Sequence, residues 1–172
     1  NKLSEDPKNS VLLIEAGALA SGCEVEIQWA LGDYLEIKDC WPIAERYKTN
    51  AESLGRSFFP LEKIPTTGAG STDMGNVSHR VPSIHPMISC APPHVVIHNP
   101  EFAKYAGSET GDAAVLDGAK ALAMTAIDVM TDDQLMSDAR NQFAETADLS
   151  AKAVAQAWHG DGDVTLGGCG CC

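Results

Sequence analysis

Cys23-Glu24-Val25-Glu26-Ile27-Gln28-Trp29 alternates apolar and polar residues without a slip. A period of two sends successive side chains to opposite faces, so the run reads as a strand with one dry face. Just upstream, Asp6-Pro7 supplies a cap and a first helical residue. Val11, Leu12, Ile14 and Leu19 continue a helix that Gly22 is placed to stop. A helix followed at once by a half-buried strand suggests an α+β layer.

Working outward, residues 31–40 read as a loop. A second helix is expected from Trp41-Pro42 through Ile43, Ala44, Tyr47, Ala51 and Leu54 to Gly55, because the apolar spacing is near 3.6 and a glycine ends it. Residues 56–111 hold seven of the nine prolines and four of the five histidines. This stretch reads as irregular, with short strands around 77–81 and 84–89. A long proline-punctuated segment in a compact protein is more often functional than idle. A long helix is expected over 112–130, with Val115, Leu116, Ala119, Leu122, Ala126, Ile127 and Met130 on one face. Thr131-Asp132 offers a break, and a further helix is expected from Asp133 to about Trp158, with a weak point at Asp148-Leu149-Ser150. Residues 159–172 read as a flexible Gly/Cys tail.

Composition narrows the function classes. Hydrophobic residues make up 44% and charged residues 21% of the 172, an ordinary globular balance. No apolar run approaches the roughly 20 residues of a membrane span. Acids number 24 against 12 bases, a net charge of −12. That balance argues against nucleic acid and against anionic membranes as partners, since both are held by clustered Lys and Arg. Three of the six cysteines crowd the last four positions and the others are scattered, which is no disulfide framework. A reducing, cytoplasmic setting is the simpler expectation. Asn1 opens the chain without a signal pattern, so a processed form or a piece of something longer is expected.

Two groups of residues could carry chemistry. The run Gly68-Ala69-Gly70-Ser71-Thr72-Asp73-Met74-Gly75-Asn76 combines glycines, which let backbone approach a ligand, with hydroxyls and a carboxylate. A plain turn is the competing reading. The second group is His79, His85, His94 and His98, imidazole being the commonest protein ligand for zinc-like metals. In extended chain, the spacing of His79 and His85 puts both rings on one side. His94 and His98 would share a helical face, but Pro92-Pro93 opposes a helix there. Each histidine alone reads equally as structural. His98-Asn99-Pro100-Glu101 places an imidazole beside a proline-fixed turn with a carboxylate three residues on.

Taken in order, Gly70-Ser71-Thr72-Asp73-Met74-Gly75-Asn76-Val77-Ser78, then Val81-Pro82-Ser83-Ile84-His85-Pro86, then 98–108 and Leu116–Ala123, resemble the M20 family of metal-dependent peptidases and amidohydrolases. The branch most resembled is that of the aminoacylase-1-like proteins and p-aminobenzoyl-glutamate hydrolases, over roughly residues 10–145. The resemblance implies an α/β fold: the C-terminal half of a catalytic domain over 33–158, preceded over 1–32 by the last helix and strand of an inserted lid or dimerisation domain. It implies hydrolysis of an amide bond in acyl-amino acids or small dipeptides, two zinc ions per complete site, and a homodimer. It places His98 at the family's last metal ligand. Gly70, Ser71, Thr72, Asp73 and Asn76 fall on the substrate loop, with His79 and His85 as substrate-side donors. The family's remaining ligands precede the lid, so the chain alone is expected to be inactive until a missing N-terminal half is supplied. Two rival expectations stand beside this one. One is a non-catalytic dimerisation or binding module on the same scaffold. The other is a small metal-binding protein that uses the histidine cluster with Cys90.

Overall fold

Proline and glycine punctuation sets most of the helix boundaries. In the computed structural model, residues 7–27, 32–59 and 72–157 are described. Helix α1 is Pro7–Ser21. Gly22 takes φ +68°, and the Gly22 and Cys23 amides donate back to Leu19 and Ala18. Glycine serves there because the left-handed region costs it nothing. Helix α2 is Trp41–Ser53, with a proline in its first turn. It ends the same way at Gly55, φ +85°, where the Gly55 and Arg56 amides donate to Glu52 and Ala51.

Helix α3 is Met74–Ser78, α4 is Pro100–Ala106, α5 is Glu109–Thr131, α6 is Asp133–Ala144 and α7 is Ala147–Gln156. Asn99 caps α4 by accepting from the Glu101 and Phe102 amides at 2.8 and 3.0 Å. Asp132 caps α6 by accepting from Gln134 and Leu135, both at 3.1 Å. The chain divides into two compact units, Asn1–Asp33 with His159–Cys172, and Tyr34–Trp158. Helix α1 belongs to the first and α2–α7 to the second.

The α/β expectation is overturned. Among the described residues the structure is helical and holds no strand or sheet, and its bridge residues are isolated, as in the parallel pair Asp39 and Ser83. The residues 23–27 of the expected first strand form no ladder, and its last two lie outside the described residues. Alternation supplies a dry face but not a neighbour, and a strand needs a neighbour to satisfy its backbone. The strand expected at 77–81 is instead the end of α3 and a turn. The helix expected from Asp133 to Trp158 is broken at 145–146, just ahead of the anticipated weak point. Asp6 and the residues 159–172 of the expected tail fall outside the described residues.

The core of the second unit lies between α2 and α5. Tyr47, Ala51 and Ala121 form it, with Leu54 and Ile84 packed against it. Asn50 donates to Thr125 Oγ1 at 3.1 Å and to Asp128 Oδ2 at 2.8 Å across the same interface. Buried Thr125 returns its own hydroxyl proton to the Ala121 carbonyl at 2.7 Å, so the polar groups of this interface are paired. Helix α5 buries Gly111, Ala114, Ala121 and Thr125. The large apolar side chains that periodicity groups on one face lie outward: Val115, Leu116, Leu122, Ile127 and Met130 are exposed, Met130 at 80%. Small side chains bring the two backbones close, and the bulky face turns away.

Candidate functional site

The Gly/Ser-rich run builds a docking point for an extended segment forty residues upstream. Gly75 is buried where a Cβ would run into the Leu35 carbonyl oxygen. Glycine is required by that approach, since no rotamer could relieve a clash with backbone. On either side of this contact the α3 side chains take up the segment's polar groups. Leu35 N–H donates to Asn76 Oδ1 at 3.0 Å, and Lys38 N–H donates to Ser78 Oγ at 2.9 Å. Ser78 in turn donates to the Gly75 carbonyl at 2.7 Å.

His79 completes the clamp. Its Nε2 lies 3.1 Å from the Glu36 carbonyl and 3.9 Å from Glu36 Oε1. A carbonyl only accepts, so Nε2 donates to it, and Nδ1 is left on the far edge of the ring. That Nδ1 is buried and has no hydrogen-bond partner among the described residues. Lys38 anchors the segment's other side. Its Nζ donates to the Phe143 carbonyl at 3.1 Å and to Ser150 Oγ at 3.3 Å, and lies 4.2 Å from the centroid of the Phe143 ring. The cation is thereby held by oxygens and by an aromatic face together.

The structure therefore brings Asn76 and His79 together, both turned to backbone. Thr72 and Asp73 sit at the entrance to α3, where Thr72 Oγ1 donates to Asp73 Oδ1 at 3.3 Å and Asp73 is exposed. Gly70 and Ser71 lie outside the described residues. His85 is exposed on an open groove along α2, lined also by Trp41, Phe58, Phe59 and Met87. His94 is exposed in a turn, and Cys90 is half-buried.

His98 lies at the entrance to α4. It has φ 63°, the one left-handed non-glycine among the described residues. Its imidazole is exposed and makes no hydrogen bond or ion pair with them. The residue lines a shallow apolar groove with Met87, Ile97 and Phe102. An L-residue in this region costs about 1 kcal/mol or more. The strain fixes the direction in which the chain enters the Asn99-capped helix.

No three His, Cys, Asp or Glu side chains among the described residues come together to hold a metal ion. The described part of the chain therefore does not build a self-contained zinc centre, since each ion needs about four donors. Neither are His85, His94 and Cys90 gathered into one cluster. The contacts of Lys38 and Ser78 carry no signal in the sequence, because each is made with a partner remote along the chain. Gly75 alone carried a hint, as one glycine of a glycine-rich run. No helix among the described residues is long and apolar enough to cross a membrane.

No family model matches the chain. It is 38% identical over 128 residues to human Xaa-Arg dipeptidase and 36% identical over 128 residues to the mouse Xaa-Arg dipeptidase. Each match covers 74% of this chain, but only 29% of the human and 30% of the mouse protein. The chain thus spans less than a third of the length of these curated relatives.

Proposed function

We infer, for a chain homologous to Xaa-Arg dipeptidases and consistent with the C-terminal part of an M20-family peptidase, that it contributes part of a metal-dependent dipeptide hydrolase. The observation that carries this reading is the identity to two dipeptidases over three quarters of the chain. Small dipeptides, or acyl-amino acids of similar shape, are the proposed substrates. Zinc is the proposed metal. When bound, it would lower the pKa of a water and polarise the amide carbonyl.

His98 is the ligand this chain would offer, to a site completed by donors on other polypeptide. Two features support that role. The ring is exposed and makes no hydrogen bond or ion pair with the described residues, and its backbone is held in a strained left-handed conformation. Asn76 and His79 act one step back, holding the 34–40 segment against α3 and so fixing the shape of the run that enters at Thr72.

The test is a chimera in which the 128 matched residues of human Xaa-Arg dipeptidase are replaced by those of this chain. The expected result is hydrolysis of an Xaa-Arg dipeptide, with zinc in the purified protein. His98→Ala should then lower kcat/KM by at least about a hundredfold and reduce bound zinc. Full activity in that variant would remove His98 from the site. Undiminished activity after chelation would sink the metal.

A further inference from the structure

We propose that the groove along α2 is a specificity pocket for the proposed reaction, and that it takes the guanidinium side chain of an arginine in the substrate dipeptide. The proposal rests on reading this chain as part of a dipeptide hydrolase. Trp41, Glu45, Lys48 and Glu52 line the groove at i, i+4, i+7 and i+11 of α2, a spacing that sets them along one stripe of the helix. The other wall includes the run 84–87, where Ile84 packs on the core while His85 and Met87 are exposed. The space between is about 700 Å³, the size of a small-molecule site.

Two kinds of surface line it. Trp41, Phe58 and Phe59 are all exposed, and large aromatic side chains gathered in one concavity mark a binding surface. Their placement is supported from below. The buried Tyr47 ring meets Phe58 edge to face, with centroids 6.4 Å apart and an interplanar angle of 86°. The Trp41 amide donates to Gln142 Oε1 at 2.9 Å. Beside these rings stand Asp39, Glu45 and Glu52, against the cation of Lys48. None of the three carboxylates makes a hydrogen bond or ion pair with a described residue.

The occupant follows from that pairing of charge and ring. Aromatic faces attract a cation and carboxylates neutralise it. A guanidinium answers both, because it is flat, weakly hydrated and forks onto carboxylate oxygens. An ammonium is a compact, strongly hydrated point charge and gains less from the rings. An apolar side chain would strip water from the carboxylates without replacing it. Met87 joins this groove to the candidate metal ligand, since it also lines the shallow groove in which His98 stands. A dipeptide whose amide lies at His98 thus has the aromatic groove as the neighbouring space for a side chain.

Binding to the isolated chain and turnover by the chimera described above test the proposal separately. In calorimetric titration of the full chain, an arginine dipeptide should bind saturably. Its citrulline counterpart has the same shape without the charge, and should bind at least about tenfold more weakly. Glu45 and Glu52 are exposed, so Glu45→Gln combined with Glu52→Gln leaves the fold intact; it should abolish the preference for arginine over citrulline. Phe59→Ala should weaken the arginine dipeptide about threefold. In the chimera the double glutamine variant should raise KM for the arginine dipeptide at least about tenfold, with kcat and bound zinc unchanged. Absence of saturable binding would overturn the proposal. So would equal affinity for the citrulline or lysine dipeptide, or a preference that survives the double variant. Selective binding with an unchanged KM in an active chimera would also overturn it, by placing the groove outside the reaction. Selective binding beside an inactive chimera would sink the dipeptidase reading, and with it the groove's part in catalysis, while leaving the guanidinium as its ligand.

Discussion

Replacing Gly75 by alanine should undo the clamp on which α3 and the 34–40 segment depend. The added methyl would meet the Leu35 carbonyl oxygen, with the Leu35 carbonyl carbon at 2.7 Å and that of Glu36 at 3.3 Å. All three atoms are backbone, so the strain has no side-chain outlet. Separation of the two segments would break three hydrogen bonds, those of the Leu35 amide, the Lys38 amide and the Glu36 carbonyl. At about 1 kcal/mol net for each, the loss is about 3 kcal/mol. For a chain of this length that corresponds to a melting temperature lower by roughly 6–12 °C. Gly118→Ala is the control within the same unit. Its Cβ would lie 3.5 Å from Ile88 Cδ1, an ordinary contact, and a helix interior gains about 0.5–1 kcal/mol when alanine replaces glycine. Urea titration followed by tryptophan fluorescence measures both. If Gly75→Ala stays within about 0.5 kcal/mol of the parent, the close approach is not what holds the segment, and the reasoning fails.

Two further outcomes are expected. His98→Gly should raise the isolated chain's stability by up to about 1 kcal/mol, because glycine adopts φ 63° without penalty; a melting temperature that falls would show the imidazole holding structure. Asp132 has its carboxyl held below the ordinary value of 3.8 by the Leu135 amide it caps and by the Arg46 guanidinium 2.8 Å away. A carboxyl whose folded pKa is depressed contributes stability above its unfolded pKa and loses it as pH falls through the folded value. Asp132→Asn, which can still cap, should therefore flatten the loss of denaturant midpoint as the pH falls below the ordinary carboxyl value of 3.8, and an unchanged acid limb would refute that assignment.

The boundaries of the fold were legible wherever a residue acts on its own backbone. Pro7 and Gly22, Trp41-Pro42 and Gly55, and Asp132 mark helix ends from chemistry that needs no distant partner. Strands were not legible, because Cys23–Ile27 shows alternation yet meets no neighbouring chain among the described residues. The buried face of α5 shows the limit of periodicity. Hydrophobic periodicity picked out its largest side chains, while the α2 contact selects its smallest. The sequence singled out Asn76 and His79 but not the contacts they make. Nothing local to Asn76 or His79 tells that their polar atoms are spent on the backbone of Leu35 and Glu36. Helix α4 carried a legible Asn99-Pro100 start, masked by the prolines around it.

The narrow seam between α2 and α5 has a consequence for how this sequence tolerates change. Ala51 and Ala121 are buried where the two helices meet, so a saturation library should accept almost nothing there beyond glycine or serine. Val115, Leu122 and Met130, one turn around the same helix, should accept nearly any residue so long as the chain is tested alone. A fitness map of α5 would then show its most hydrophobic positions as its most permissive, and that pattern would invert wherever those side chains acquire something to cover them.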